Sequence, residues 1–142
     1  MADADKKYRV IRKSSELSIR LSGDSLPQLL ADAGFALFDL LVDLETVEAR
    51  ESVTLEVEGL DNDDLMVNWI RELLYEYQAS GFMLKEFDIH EAGEFFVRAE
   101  ARGEKFDPDR HEEREAIAAV DERLSHLGKM GSQWTAQVGF DL

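Results

Sequence analysis

The sequence predicts an α+β domain with two layers, in which two long helices pack on one face of a mostly antiparallel β-sheet. Two segments, residues 25–44 and 61–79, repeat apolar residues at the three- and four-residue steps of a helix. Most of the remaining chain alternates apolar and polar residues, which is typical of strands with one solvated face. No linker or repeat interrupts the pattern, so residues 1–142 are predicted to form a single domain.

The first helix is predicted to begin at Ser25, because Ser25-Leu26-Pro27-Gln28 has the form of a capping box with proline in the first turn. Its apolar face consists of Leu26, Leu29, Leu30, Ala33, Leu37, Leu40, Leu41 and Leu44. Gly34 lies within this helix, where glycine costs about 1 kcal/mol relative to alanine. We therefore expect Gly34 to mark a point of close packing against the sheet.

The second helix is predicted to begin in the acidic run 61–64, since carboxylates are favourable at the positive end of a helix dipole. Gly81 is placed to end it. The same run begins like a calcium-binding loop, but Leu65 and Met66 fall where a ligand and the required glycine belong. Helix capping is therefore the preferred interpretation.

Strands are predicted where the alternation is strictest, with a hairpin turn at residues 91–94. The predicted strands are residues 17–22, 53–58, 86–90, 95–102 and 134–141.

The charge of the chain limits its partners. Its 142 residues include 16 Lys and Arg against 31 Asp and Glu, which gives a formal net charge of −15. Such a surface repels phosphate, so direct nucleic-acid binding is not expected. A basic protein or a cation suits the charge better, although a salt-adapted source would also explain it.

Several other classes are excluded by absences in the sequence. Without cysteine the chain has no disulfide scaffold, zinc ribbon or catalytic thiol. No apolar run approaches the ~20 residues needed to span a bilayer, and the first residues lack the apolar stretch of a secretory signal. These features predict a cytoplasmic protein with no membrane partner.

Catalytic signatures are scarce, so an enzyme is not expected. No phosphate-binding loop occurs, and no nucleophile has an evident activator. The three histidines, His90, His111 and His126, share no metal-ligand spacing. His90 is expected to be exposed on the polar face of its strand. His111 is expected in a solvated turn, with a cation held by the carboxylates of residues 107–109 as the alternative.

The end of the chain is a candidate cation site. Asp141 supplies a side-chain carboxylate and Leu142 the terminal one directly after it. Clustered oxygen ligands suit a hard cation such as calcium, which takes six to eight of them. The alternative is an ordinary frayed end.

The order and spacing of several strings resemble the archease family, whose small acidic members assist the GTP-dependent tRNA-splicing RNA ligase. The strings are Gly23-Asp24-Ser25-Leu26, Trp69-Ile70-Arg71-Glu72-Leu73-Leu74-Tyr75, Gly103-Glu104-Lys105-Phe106-Asp107 and the closing Phe140-Asp141-Leu142. The resemblance covers nearly the whole chain. It implies the archease fold and a cofactor role rather than catalysis.

Two departures mark the chain as a divergent member. The family signature Asp-His-Thr-Ala-Asp corresponds to residues 12–16, where Arg12 and Lys13 replace the first acid and the histidine, and Glu16 keeps a carboxylate. The family string Lys-Ala-Val-Thr-Tyr-His corresponds to residues 118–123, which lack both the lysine and the histidine.

The resemblance implies a calcium site at Glu16, Asp141 and Leu142. Glu16 is one methylene longer than the aspartate of the family, so a weak site is expected. Arg12 and Lys13 are also expected to compete for this site by pairing with Asp141.

The function implied by the resemblance is activation of the RNA ligase, through its guanylylation and its repeated turnover. The alternative is a diverged interaction module that has lost the metal and the ligase. A third hypothesis is a chaperone-like protein whose charge keeps a client dispersed.

Overall fold

The computed structural model describes residues 8–142. Within that range the elements are β1 (Tyr8–Lys13), β2 (Glu16–Gly23), α1 (Leu26–Leu41), a 3₁₀ turn (Leu44–Thr46), β3 (Glu51–Glu58), α2 (Asn62–Ser80), β4 (Phe82–Gly93), β5 (Phe96–Lys105), β6 (Ala119–Met130) and β7 (Gln133–Asp141). The predicted α+β class, with antiparallel strands and two long helices, is confirmed. Neither helix in the described range is long and apolar enough to cross a membrane.

The strands form two antiparallel sheets rather than the single sheet that was predicted. One sheet has the order β1-β2-β7-β6 and the other the order β3-β5-β4. The chain passes from the first sheet to the second through α1. Strand β2, before the helix, pairs with β7, and strand β3, after the helix, pairs with β5. Alternation in the sequence identifies the buried face of a strand but not its partner, so this division was not predictable from the pattern.

Helix α1 begins as predicted and ends three residues early. The Ser25 side chain accepts a hydrogen bond from the Gln28 N–H at 3.3 Å. The predicted end at residue 44 is wrong, because Val42 has extended backbone and Leu44 lies in the 3₁₀ turn. The loop before β6 covers this end of the helix, since the Arg114 N–H donates to the Leu41 carbonyl at 2.7 Å.

Helix α2 has the predicted signals at both ends. The Asp61 side chain accepts from the Asp64 N–H at 2.8 Å. Gly81 follows the helix in the left-handed conformation, with φ of 71°, and its N–H donates to the Tyr77 carbonyl at 2.8 Å. These local signals need no tertiary partner, which is why they could be predicted from the sequence.

The two helices and both sheets share one core. Trp69 of α2 is fully buried, and its indole N–H donates to the Leu30 carbonyl of α1 at 2.9 Å. Gly34 is the expected close-packing point, because a Cβ there would lie 2.8 Å from the Phe87 ring of β4 and 3.1 Å from Leu73 of α2. The absence of a side chain lets α1 approach both neighbours.

Three strand predictions need correction. The predictions omitted β1 and β6, and the hairpin turn lies at Glu94-Phe95 instead of residues 91–94. A bulge in β4 shifts the register between Ile89 and Glu91. Beyond the bulge, β4 remains paired with β5 through Gly93. Phe95, which was predicted in a strand, takes a positive φ of 66° in the turn, where its carbonyl accepts from the Gly59 N–H.

Candidate functional site

The predicted site residues Glu16 and Asp141 meet at one end of the four-stranded sheet. Leu17 pairs with Phe140 at the end of the β2–β7 ladder, so the same register sets Glu16 opposite Asp141. Both carboxylate residues are exposed, whereas Leu17 and Phe140 are buried on the other face. Because cross-strand partners project from the same face, the two carboxylates share the solvent side of the sheet.

The last strand is paired through Asp141, so a frayed end begins no earlier than Leu142. Asp141 lies opposite Ala119 of β6, and its carbonyl accepts the Ala118 N–H at 2.7 Å. Leu142 directly follows and is 56% exposed. The three predicted residues are therefore neighbours in the structure.

Strand β6 adds a third carboxylate that the sequence analysis missed. Asp121 lies opposite Gly139, and Gly139 is two residues before Asp141, so both aspartates are on the same face. Asp121 is only 8% exposed. We call Glu16, Asp121 and Asp141 the carboxylate face. No spacing in the sequence links these residues, because three different strands contribute them.

Arg123 pairs with Asp121 of the carboxylate face. Its main-chain N–H and its Nε donate to Asp121 Oδ1 at 3.0 and 3.1 Å, and its Nη2 donates to Asp121 Oδ2 at 2.9 Å. These hydrogen bonds hold the pKa of the Asp121 carboxyl below its ordinary value. The same pairing, and then the negative charges of Asp141 and Glu16, raise the pKa of Arg123.

A large bulge in β6 positions this pair. Residues 122–125 of β6 lie opposite the single residue Val138 of β7, between two regular stretches of the ladder. The Ser125 hydroxyl replaces the missing strand partner, since it accepts the Gly139 N–H at 3.1 Å and donates to the Asp121 carbonyl at 2.8 Å. Leu124 folds over β7 so closely that a Cβ at Gly139 would lie 2.4 Å from the Leu124 Cβ.

Arg12 and Lys13, which were predicted to compete for the calcium site, lie on opposite faces of β1. Lys13 lies opposite Glu16 in the β1–β2 ladder, so it shares the carboxylate face. Arg12 instead forms an ion pair with Glu115 in the loop before β6. The expectation that Arg12 pairs with Asp141 is therefore wrong, because neighbouring residues of a strand point to opposite faces.

The oxygen atoms that the carboxylate face offers a calcium ion are exposed or already accept hydrogen bonds. Both oxygens of Asp121 already accept hydrogen bonds from Arg123. Glu16 and Asp141 lie at an exposed strand end, with Lys13 opposite Glu16. Calcium takes six to eight oxygen ligands, so water would have to complete the shell around these two side chains and Leu142. The calcium site at Glu16, Asp141 and Leu142 stays a prediction.

A second charged cluster lies under the loop after β5, where His111 was expected in a solvated turn. The turn is present, but His111 is only 5% exposed. Its Nδ1 accepts the Asp107 N–H at 2.9 Å, and its Nε2 lies 3.1 Å from Glu104 Oε2 and so donates to that carboxylate. Glu104 also accepts from Arg110 Nη2 at 2.8 Å and from the Glu48 N–H at 2.8 Å.

This Glu104 cluster holds its carboxylate strongly ionised. The hydrogen bond from Arg110 is the largest cause, and the bonds from the Glu48 N–H and His111 act in the same direction. Together they lower the pKa of Glu104 to about 2, against the opposing effect of burial. The cluster ties the loop after β5 to the segment before β3, with Glu104 and His111 buried and the Arg110 side chain 41% exposed.

His90 is exposed as expected, but the structure also places it beside two acids. A ring nitrogen of His90 and one carboxylate oxygen from each of Asp88 and Glu100 lie within 4.8 Å of one another. Glu100 comes from the neighbouring strand, so spacing along the chain gave no sign of the group. Arg102 already pairs with Glu100 at 2.9 Å, which places a cation among these acids too.

The chain resembles known proteins over almost its whole length. The model of the archease protein family (MTH1598/TM1083) matches residues 8–142. The archease of Methanopyrus kandleri is 33% identical over 138 residues, which cover 95% of this chain and 99% of that protein. The archease of Pyrococcus furiosus is 31% identical over 135 residues, which cover 91% and 94%.

Two solved structures have the same fold. The solution structure of Methanobacterium thermoautotrophicum protein 1598 matches with a TM-score of 0.81 at 24% identity, over 96% of this chain and 99% of that one. The crystal structure of an archease from Thermotoga maritima, described as a possible chaperone, matches with a TM-score of 0.62 at 16% identity. That match covers 94% of this chain and 96% of the Thermotoga chain.

Proposed function

The chain belongs to the archease family, and on that premise we propose that it is a protein cofactor of a GTP-dependent RNA ligase in tRNA splicing or RNA repair. Its role in this proposal is to promote guanylylation of the ligase and its multiple turnover, while the chemistry stays on the ligase. The observation that carries the proposal is the family match over residues 8–142, because it includes every element of the fold.

The electrostatics of the chain support a protein partner over RNA. With a net charge of −15, the surface repels a phosphate backbone and attracts a basic protein. Complementary charge raises the rate of association and orients the partners, and added salt weakens both effects. We therefore expect association with the ligase to fall as salt is raised, while RNA alone is not retained at physiological salt.

The carboxylate face is the surface that we propose to meet the ligase. Glu16 and Asp141 are exposed at an open strand end, where a lysine or arginine of a partner can reach them. The β2–β7 ladder and the Asp141–Ala118 hydrogen bond fix the backbone beneath them. Because this backbone is already ordered, a partner that binds the two acids needs to order only their side chains.

The test is RNA joining by the ligase from the same organism under multiple-turnover conditions, with and without this protein. We expect the protein to raise the joining rate and the extent of guanylylation. Asp141→Asn should reduce both effects, while the matched control Glu91→Gln, an exposed acid on the other sheet, should leave them intact. An unchanged rate and unchanged guanylylation at every ratio of the two proteins would reject the proposal.

The second candidate is a diverged interaction or chaperone-like module. The positive charges of Lys13 and Arg123 at the carboxylate face favour it, because they reduce the negative charge that a basic ligase would meet. Affinity capture from the source organism separates the candidates. Recovery of the ligase supports the cofactor role, one other stable partner supports the interaction module, and a mixture of unrelated clients supports the chaperone.

A further inference from the structure

The outer face of the three-stranded sheet brings a histidine together with two acids. This sheet does not contain the carboxylate face, which belongs to the four-stranded one. A ring nitrogen of His90, one oxygen of Asp88 and one oxygen of Glu100 lie within 4.8 Å of one another. In residues 8–142 no other group of three or more His, Asp or Glu side chains brings its ligand atoms so close together.

Strand pairing holds the two acids side by side. Asp88 and Glu100 lie directly opposite each other in the β4–β5 ladder. Cross-strand partners project from the same face of a sheet, with Cβ atoms about 4.5–5.5 Å apart. Strand β5 is also paired with β3 on its other side, where Glu100 lies opposite Thr54. The backbone beneath both carboxylates is therefore fixed before any ion binds.

His90 is placed by the bulge in β4. Ile89 lies opposite Ala99. The next pair is Glu91 with Arg98, so His90 is the extra residue between the two pairs. In a regular ladder His90 would lie opposite Arg98, and a guanidinium at that position would repel a metal ion. The bulge instead sets Arg98 opposite Glu91, with which it forms an ion pair at 3.0 Å.

Ligand atoms of the group are available to an ion. Asp88 and His90 are exposed, and their side chains form no hydrogen bond or ion pair with another residue of the described chain. Glu100 accepts a hydrogen bond from Arg102 on Oε1 at 2.9 Å, which leaves its Oε2 for a ligand. Arg102 also pairs with Glu86. These three acids and one arginine leave two negative charges, which a divalent cation would neutralise.

We propose that Asp88, His90 and Glu100 form a zinc site, with water as the fourth ligand. Zinc binds histidine nitrogen and carboxylate oxygen at about 2.0–2.2 Å, so small rotations of these side chains bring three such atoms to one ion. A zinc ion with three protein ligands keeps a fourth position for water. The imidazole favours zinc over calcium and magnesium, which prefer oxygen ligands.

Calorimetric titration of zinc chloride into the isolated, untagged protein tests the site without any ligase. We expect one saturable zinc per chain, with an affinity that excess magnesium does not change. His90→Ala should weaken zinc binding by at least about tenfold, because even groups that only hydrogen-bond to a metal ligand change affinity by about 10–100-fold. Asp88→Asn should weaken it in the same direction, since the amide keeps the shape of the side chain without its charge.

The matched control is His126→Ala. His126 is also an exposed histidine, but the acid beside it is Asp63 alone, at 3.6 Å. This variant should bind zinc as the native chain does. The proposal is overturned by a native chain without saturable zinc binding, by equal zinc affinity of the native chain and His90→Ala, or by an equal loss in His126→Ala.

Nuclear magnetic resonance of the native chain gives a readout that needs no variant. One equivalent of zinc should shift the assigned ring-proton signals of His90. The signals of exposed His126 and of buried His111 should stay where they are. Unchanged His90 signals, or equal shifts at all three histidines, would count against a site on this sheet and overturn the proposal.

Discussion

The Glu104 cluster and the carboxylate face use the same chemistry in opposite surroundings. Each contains a nearly buried carboxylate bound by an arginine close in sequence, Arg110 for Glu104 and Arg123 for Asp121. His111, whose side chain is fully buried, covers Glu104, and the Arg110 side chain is 41% exposed, whereas the Arg123 side chain is 83% exposed. The first pair therefore stabilises the fold, and the second is accessible to partners.

The largest expected effect is loss of the Glu104 carboxylate. Glu104→Gln leaves Arg110, which is 41% exposed, and the buried His111 without their charged acceptor, and loss of hydrogen bonds to a buried charged group costs roughly 1.5–3 kcal/mol. Urea unfolding should show a loss of free energy of unfolding of about this size. Glu86→Gln, which removes an exposed partner of Arg102, is the control and should cost less than about 1 kcal/mol.

The stability difference between the native chain and Glu104→Gln should depend on pH. The pKa of Glu104 is about 2 in the folded protein, below the ordinary value of about 4.3 for an unfolded glutamate. The stability that this group contributes is therefore present above about pH 4.5 and is lost as the pH falls toward 2. The difference in unfolding free energy between the native chain and Glu104→Gln should narrow over this window, and a constant difference would contradict the assignment.

The smallest expected effect on stability is at the carboxylate face itself. Arg123→Gln removes a largely exposed guanidinium, and exposed ion pairs contribute about 0–1 kcal/mol. Urea unfolding in the absence of calcium should therefore show a change of less than about 1 kcal/mol. A loss as large as that of Glu104→Gln would remove the distinction between a structural cluster and an accessible face.

The sequence revealed the parts of the fold that depend on local signals. Ser25 and Gly81 mark helix ends because their effects act within a few residues, and Gly34 stood out because glycine is unfavourable within a helix. Strand β6 escaped prediction because the bulge at residues 122–125 interrupts its alternation. The division into two sheets depends on pairings between distant residues, which no local pattern contains.

The candidate site was predictable only in part for the same reason. Asp141 stood out from the oxygen ligands at the end of the sequence, Glu16 came from the resemblance to a family, and the register of β2 and β7 then placed them opposite each other. Asp121 lies in residues 118–123, which were interpreted only as lacking the lysine and the histidine of the family, so its carboxylate was not considered. Arg123 was counted only as a missing histidine, because its contact with Asp121 depends on the shape of the bulge.

The contact between Leu124 and Gly139 has a consequence for how related chains diverge. A side chain at position 139 has no room while leucine folds over it, since the two Cβ atoms would lie 2.4 Å apart. The two positions are therefore expected to change together across descendants of a common ancestor. A lineage that gains a larger residue at position 139 should first have lost the bulge or replaced Leu124 with a smaller residue. The order of those substitutions should be recoverable from reconstructed ancestors.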